Sequence, residues 1–131
     1  MTVSFEATFP SSPPGVGAMR REVAAFALRA GMDDDGVGSV RLAVSEAATN
    51  AVVHAYREQG DEGRLEVRAF VDASELVVIV RDTGIGLAPR PDSPGLGLGM
   101  PLMASVTSRF RVVSVGHGTE IHMAFAMPSD A

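Results

Sequence analysis

The sequence predicts an α+β two-layer sandwich, with a mixed, mostly antiparallel sheet of about five strands covered on one face by about three helices. After a first isolated strand, the strand-like runs come in adjacent pairs joined by a few turn residues, the pattern of hairpins rather than of parallel strands linked by crossovers. Two long helical periodicities lie together ahead of the first pair, and a third, shorter one separates the two pairs. The resulting order, β-α-α-β-β-α-β-β, favours helices gathered on one face over a doubly wound parallel sheet.

Each element has its own signal. Val3 to Phe9 alternates well enough for a short strand, and Pro10 to Gly15 then supplies turn chemistry. Val16, Met19, Val23, Phe26, Ala27 and Ala30 recur at spacings of three and four, predicting a helix over Val16 to Ala30 with one buried stripe and Gly31 at its C-terminal cap. Any of Asp33, Asp34 or Asp35 can cap a second helix running to about Tyr56, with Val37, Val40, Val44, Ala47 and Ala51 inward. Gly60 to Gly63 ends the helical part. Leu65, Val67, Ala69 and Val71 alternate with Glu66, Arg68 and Phe70, and Asp72 to Ser74 turns the chain into the apolar run Leu76 to Val80, expected as an interior strand. Beyond a glycine-rich segment, Met100 to Val106 reads as a helix. Two strands follow, Phe110 to Val115 and Thr119 to Phe125, joined through Gly116 to Gly118.

Composition narrows the function classes. At 131 residues, with 46% hydrophobic and 21% charged, the chain is expected to form one domain over residues 1–131 around a single core. A formal net charge of −5 disfavours direct binding to nucleic acid or to anionic lipid. Cysteine is absent, which excludes disulfides and thiolate metal sites. The opening "MTVSFEATFP" has neither the basic nor the apolar region of a signal peptide, and no apolar run approaches the ~20 residues of a membrane helix. The expected location is therefore the cytoplasm, away from membranes.

Three constellations carry chemistry. Glu46, Asn50 and His54 stand at i, i+4 and i+8, which places them within roughly 80° of one another and about 6 Å apart per step on one helix ridge. Such a ridge is either a solvated helix face or a row of ligands. Ala43, Ala47, Ala48 and Ala51 keep the helix slim beside it, as close approach by another body requires, although alanines are also simply good helix formers. Secondly, Asp82-Thr83-Gly84-Ile85-Gly86 follows the apolar strand; an aspartate there accepts hydrogen bonds, and the glycines let backbone approach a flat ligand. Finally, "GLGLGM" (Gly95 to Met100) alternates glycines into a helix start, where unpaired backbone N–H groups and the helix dipole favour phosphate oxygens. Five of the fourteen glycines fall between Gly84 and Gly99. Taken singly, the last two also fit an ordinary turn and a flexible loop.

Their joint occurrence in this order resembles a known family. "EAATNAVVHAY", "RDTGIGL", "GLGLGMPLM" and "GTEIHMAF" look like the N box, the two glycine boxes and the closing Gly-Thr of the GHKL (Bergerat) ATP-binding fold, nearest to its branch of anti-sigma-factor serine/threonine kinases with a histidine-kinase-like ATPase domain. The likeness runs from about Phe5 to Phe125. It implies that Asp82 accepts the adenine amine, with Gly84 and Gly86 shaping the base pocket and Thr119 assisting from the facing strand. It also implies Asn50 as the Mg²⁺ ligand, Gly95, Gly97 and Gly99 as holders of the ATP phosphates, and Glu46 as the residue that orients and deprotonates an incoming hydroxyl. Glutamate is ordinarily a weak base at neutral pH, but phosphoryl transfer rewards alignment and charge neutralisation, so a positional role suffices. His54 is read as near the phosphates or packed at the helix end, and His117 and His122 as structural or exposed.

The resemblance further implies a sigma factor and an anti-anti-sigma (STAS-type) protein as partners, and homodimers are common in the branch. One departure stands out. Between Gly86 and Gly95 the chain has only "LAPRPDSP", a short, proline-rich lid with Arg90 as its sole cation, so a nucleotide-dependent binding regulator without phosphotransfer stays beside the kinase as an alternative. A histidine kinase is disfavoured, since residues 1 to 45 contain no histidine to accept a phosphoryl group. A gyrase-type ATPase needs further domains.

Overall fold

The computed structural model describes residues 4–59, 63–82, 102–115 and 118–128, and for 51–59 and 114–115 the backbone alone. The elements are β1 (Ser4–Pro10), α1 (Pro13–Arg29), α2 (Asp34–Gln59), β2 (Arg64–Asp72), β3 (Glu75–Asp82), a helical turn α3 (102–106), β4 (Arg109–Val115) and β5 (Gly118–Ala126). This is the expected order. The five strands form one sheet in the order β1-β2-β3-β5-β4, and each described pair is antiparallel. The sheet is thus antiparallel throughout rather than mixed, because β5 folds back between β3 and β4 instead of adding at the edge.

Alternation decides which face meets the helices. Leu65, Val67 and Ala69 of β2, Leu76, Val78 and Val80 of β3, and Ile121, Met123 and Phe125 of β5 are all buried, two residues apart along each strand. Against them lie Met19, Val23, Phe26 and Ala27 of α1 and Val40, Ala43, Val44, Ala47 and Ala48 of α2. Phe5 of β1 and Phe26 stack at 5.7 Å, and Met103 carries α3 into the same core. Burial of such side chains contributes about 1.5–3 kcal/mol each, and the two-layer arrangement gives one apolar face to every element. The opposite face of the sheet is polar, with Glu120 reaching Arg81 at 3.9 Å and His122 at 2.8 Å. His122 is accordingly a half-buried surface residue of the sheet, as expected.

Local chemistry sets the helix ends. The Ser12 hydroxyl accepts from Gly15 N–H at 3.3 Å while Pro13 and Pro14 occupy the first helical positions, so α1 begins three residues before the expected Val16. The periodic stripe understates the helix because Pro13 and Pro14, which carry turn chemistry elsewhere, here fill its first positions. At the other end Gly31 adopts φ 106°, which a side chain resists, and Met32 N–H returns to the Ala27 carbonyl at 3.0 Å. Asp33 caps α2 by accepting from Gly36 N–H at 2.8 Å.

Candidate functional site

The site is organised by the upper edge of the sheet, where β3 ends and β5 begins. Asp82 is the last residue of β3 and lies on the helix-facing side with Leu76, Val78 and Val80; it is only 3% exposed. Its register partner on β5 is Thr119, also buried, and on its other side is Leu65 of β2. An ionisable group and a hydroxyl at the end of an apolar strand are costly to bury unless polar partners share the space, and both residues keep interactions within the fold. The family resemblance implies that Thr119 faces Asp82 from a neighbouring strand, and the register sets the two opposite each other.

Gly118, expected as part of a turn, has a sharper role. A Cβ built there would stand 2.2 Å from the Asp82 carbonyl oxygen. Only glycine lets β5 enter against the Asp82 backbone at that distance. The signal was present in the Gly-Thr dipeptide at the head of a strand, but nothing local tells which backbone it must touch.

The second part of the site is on α2, which packs against β3 and β5. Only residues 60–63 separate Gln59 from Arg64, the neighbour of Asp82's register partner Leu65. The C-terminal half of α2 therefore rises toward the strand end that carries Asp82 and Thr119, with Asn50 about 13 Å below Gln59 along the helix axis. Asn50 is 6% exposed, and its Nδ2 is buried without a hydrogen-bond partner among the described residues. Glu46, one turn earlier, is half-buried. A buried amide nitrogen without a partner among the described residues is the kind of donor that a ligand or an ordered water satisfies.

The flanking alanines have a different use from the one expected. Ala43, Ala47 and Ala48 are fully buried in the core, so their small size serves packing of α2 on the sheet and α1 rather than approach by an outside body. The other members of the constellation, Gly84, Gly86, Gly95, Gly97 and Gly99 together with Arg90, lie outside the described residues, as do His117 and the side chain of His54. Among the described residues, no cluster of three His, Asp or Glu could hold a metal ion. An Mg²⁺ that takes few protein ligands and fills its shell with phosphate and water oxygens needs no such cluster, and the side-chain oxygen of Asn50 is a ligand of the type it takes. No helix among the described residues is long and apolar enough to cross a membrane.

Known proteins resemble this chain in sequence and in fold. A family described as histidine kinase-like ATPase domain matches residues 9–125. An anti-sigma F factor of Clostridium acetobutylicum is 34% identical over 125 residues, covering 85% of this chain and 86% of its own length. The serine-protein kinase RsbW of Bacillus subtilis is 40% identical over 79 residues, or 60% of this chain and 49% of that kinase. Among solved structures, one of RsbU and RsbW domains from Mycobacterium tuberculosis superposes with a TM-score of 0.76 at 19% identity, covering 98% of this chain and 33% of the other, a likeness of fold.

Proposed function

We propose, on the premise that the chain belongs to the histidine kinase-like ATPase domain family, that it is an ATP-dependent serine/threonine protein kinase of the anti-sigma-factor type. In this reading it phosphorylates a small anti-anti-sigma (STAS-type) antagonist and sequesters a sigma factor when that antagonist is unavailable. The observation that carries it is the buried Asp82–Thr119 register pair at the end of an apolar strand, with the Glu46–Asn50 ridge on the helix α2 that packs against the same two strands. Relatives of similar length bear the name anti-sigma F factor, and others the name serine-protein kinase.

The residues then divide the work. Asp82 accepts the exocyclic amine of adenine and Thr119 supports it from β5, which selects the base. Asn50 offers its amide oxygen to Mg²⁺, an ion that would neutralise phosphate charge when bound. Glu46, a turn before Asn50, orients the acceptor hydroxyl of the partner. Transfer forms a bond from that hydroxyl oxygen to the γ-phosphorus and breaks the bond to the β-phosphate oxygen; ADP leaves, and the hydroxyl proton passes to Glu46 or to water. Gly95, Gly97 and Gly99 complete the reading as phosphate holders through their backbone N–H groups, and a homodimer belongs to it as the assembly on which a sigma factor is held.

The test is to recover partners by co-purification from the source cell and incubate them with the protein, Mg²⁺ and γ-labelled ATP. Label on a serine or threonine of a small partner is the expected result. A partner that binds in a nucleotide-dependent way yet never takes label replaces the kinase with a binding regulator.

A further inference from the structure

We infer that Arg81, Glu120 and His122, on the face of the sheet turned away from the helices, form a clasp that positions Asp82 and Thr119 for the adenine ring. The three are positioning residues, acting through the two strands that carry the site rather than by touching the nucleotide. In that respect the inference rests on the assignment of Asp82 to the base above.

Register is the first argument. Arg81 and Glu120 are partners in the β3–β5 ladder, and Asp82 and Thr119 form the next rung. Successive side chains along a strand point to opposite faces, so the charged pair backs the base-recognition pair from one rung away. A contact across that rung is the closest point from which the far face can fix the ends of both strands.

The partner that Arg81 takes is the second argument. In the sheet it has a glutamate on either side, Glu66 of β2 and Glu120 of β5. Its Nη1 stands 3.9 Å from Glu120 Oε2, and among the described residues no ion pair joins it to Glu66. Nor does one join Glu6 to its register partner Arg68. This face therefore offers three rungs of opposite charge, and the one that closes lies behind Asp82 and Thr119. Arg81 reaches it by lying over β5: its Nε is buried, 3.8 Å from where a Cβ on Gly118 would stand.

Glu120 is itself held in place. His122 Nε2 donates to its Oε1 at 2.8 Å, since an ionised carboxylate can only accept. One oxygen is thus fixed along β5 while the other faces Arg81 on β3. A side chain already fixed by one partner loses less freedom in meeting a second. Gly118 lets β5 approach the Asp82 backbone, and the clasp holds it there from the far face. Cross-strand charge pairs contribute modestly to folding, so the effect belongs to the geometry of the base contact more than to stability.

The experiment measures ADP affinity by calorimetry and stability by urea unfolding for Glu120→Ala, Arg81→Met and Arg81→Lys, each alone and combined with Asp82→Asn. Glu120→Ala and Arg81→Met should weaken ADP binding about three- to five-fold, with an unfolding midpoint close to that of wild type. Arg81→Lys, which keeps the charge, should recover most of the loss. In the Asp82→Asn background the same substitutions should cost little further, because the contact they position is already gone. No loss of affinity, an equal loss in both backgrounds, or a loss that follows the unfolding midpoint overturns the clasp. If Asp82→Asn binds ADP as tightly as wild type, the base assignment has failed by itself. The clasp is then judged by amide hydrogen exchange: Glu120→Ala should speed exchange at residues 80–82 and 119–121 and leave 76–78 and 123–125 unchanged. A uniform change, or none, overturns it.

Discussion

Asp82 at the end of β3 and Thr119 at the start of β5 are direct register partners, both buried on the helix-facing side of the sheet. Gly118 holds them there: β5 approaches so closely that an added Cβ would lie 2.2 Å from the Asp82 carbonyl oxygen. Because that oxygen is backbone, it cannot swing aside, and the strands must separate. Gly118→Ala should therefore destabilise the fold by about 1–3 kcal/mol, as overpacking does, and weaken ADP binding by displacing Thr119 from Asp82. Urea unfolding and calorimetric titration check the two effects. A variant as stable as wild type with the same ADP affinity would show that the strands part at no cost.

The assignment of Asp82 to the base leads to a separate expectation. Asp82→Asn keeps the shape of the side chain but replaces an acceptor oxygen by a donor, so adenine-nucleotide affinity should fall by about 1.5–3 kcal/mol, the scale of a hydrogen bond to a charged group. Circular dichroism should report a folded domain. Guanine nucleotides, which carry a carbonyl where adenine has the amine, should lose less, and a uniform loss across both bases would move Asp82 from base recognition to architecture.

Asn50 is distinguished by a buried amide nitrogen without a partner among the described residues. If its oxygen faces Mg²⁺, Asn50→Ala should remove most of the increase in ATP affinity that Mg²⁺ confers, and leave metal-free binding nearly unchanged. Titrations with Mg²⁺ and with a chelator separate the two. Equal Mg²⁺ enhancement in variant and wild type places the metal elsewhere.

At the opposite end of the sheet, Glu75 of β3 joins Arg109 of β4 across β5, and the Ser108 hydroxyl donates to it at 2.8 Å. The Arg109 hydrogen bond, then the one from Ser108, hold the Glu75 carboxyl below its ordinary value. A lowered folded-state value means stability that is fully present above the unfolded carboxylate range and lost as pH falls through the folded value. Glu75→Gln should thus be less stable than wild type at neutral pH, with the gap closing in acid. The exposed position of Arg109 beside a half-buried Glu75 keeps the effect small and salt-sensitive. Melting curves across the acid range decide, and a gap independent of pH would make the contact a matter of packing.

How much of this was legible depends on the range of the signal. The paired strands could be read because alternation in Leu65 to Val71 and the apolar run Leu76 to Val80 are local patterns. Insertion of β5 between β3 and β4 could not, since β3 and β4 both present apolar edges and nothing in either names its neighbour. Pro13 and Pro14 misled because the same residues that make turns also fit the first helical positions once Ser12 caps them. Glu46 and Asn50 stand out by their i, i+4 spacing and Asp82 by its place at the end of an apolar strand, whereas Thr119 is named only through the family resemblance, because its register against Asp82 depends on where β5 inserts.

The last expectation concerns catalysis, and it follows from Glu46 standing one helical turn before Asn50 on α2. Glu46 is half-buried, outside the core that takes Ala47 and Ala48, so its substitution need not disturb packing. Glu46→Gln preserves size and removes both the negative charge and the proton acceptor. ATP should still bind, partner binding should survive, and phosphate transfer should fall by ~10²-fold or more, the usual scale for a positioned acid or base. The measurement is single-turnover transfer from labelled ATP to the partner, set beside equilibrium binding of each. A variant that transfers at the wild-type rate strips Glu46 of a catalytic role. One that loses transfer only in step with ATP affinity shows that the residue holds the nucleotide rather than the acceptor hydroxyl.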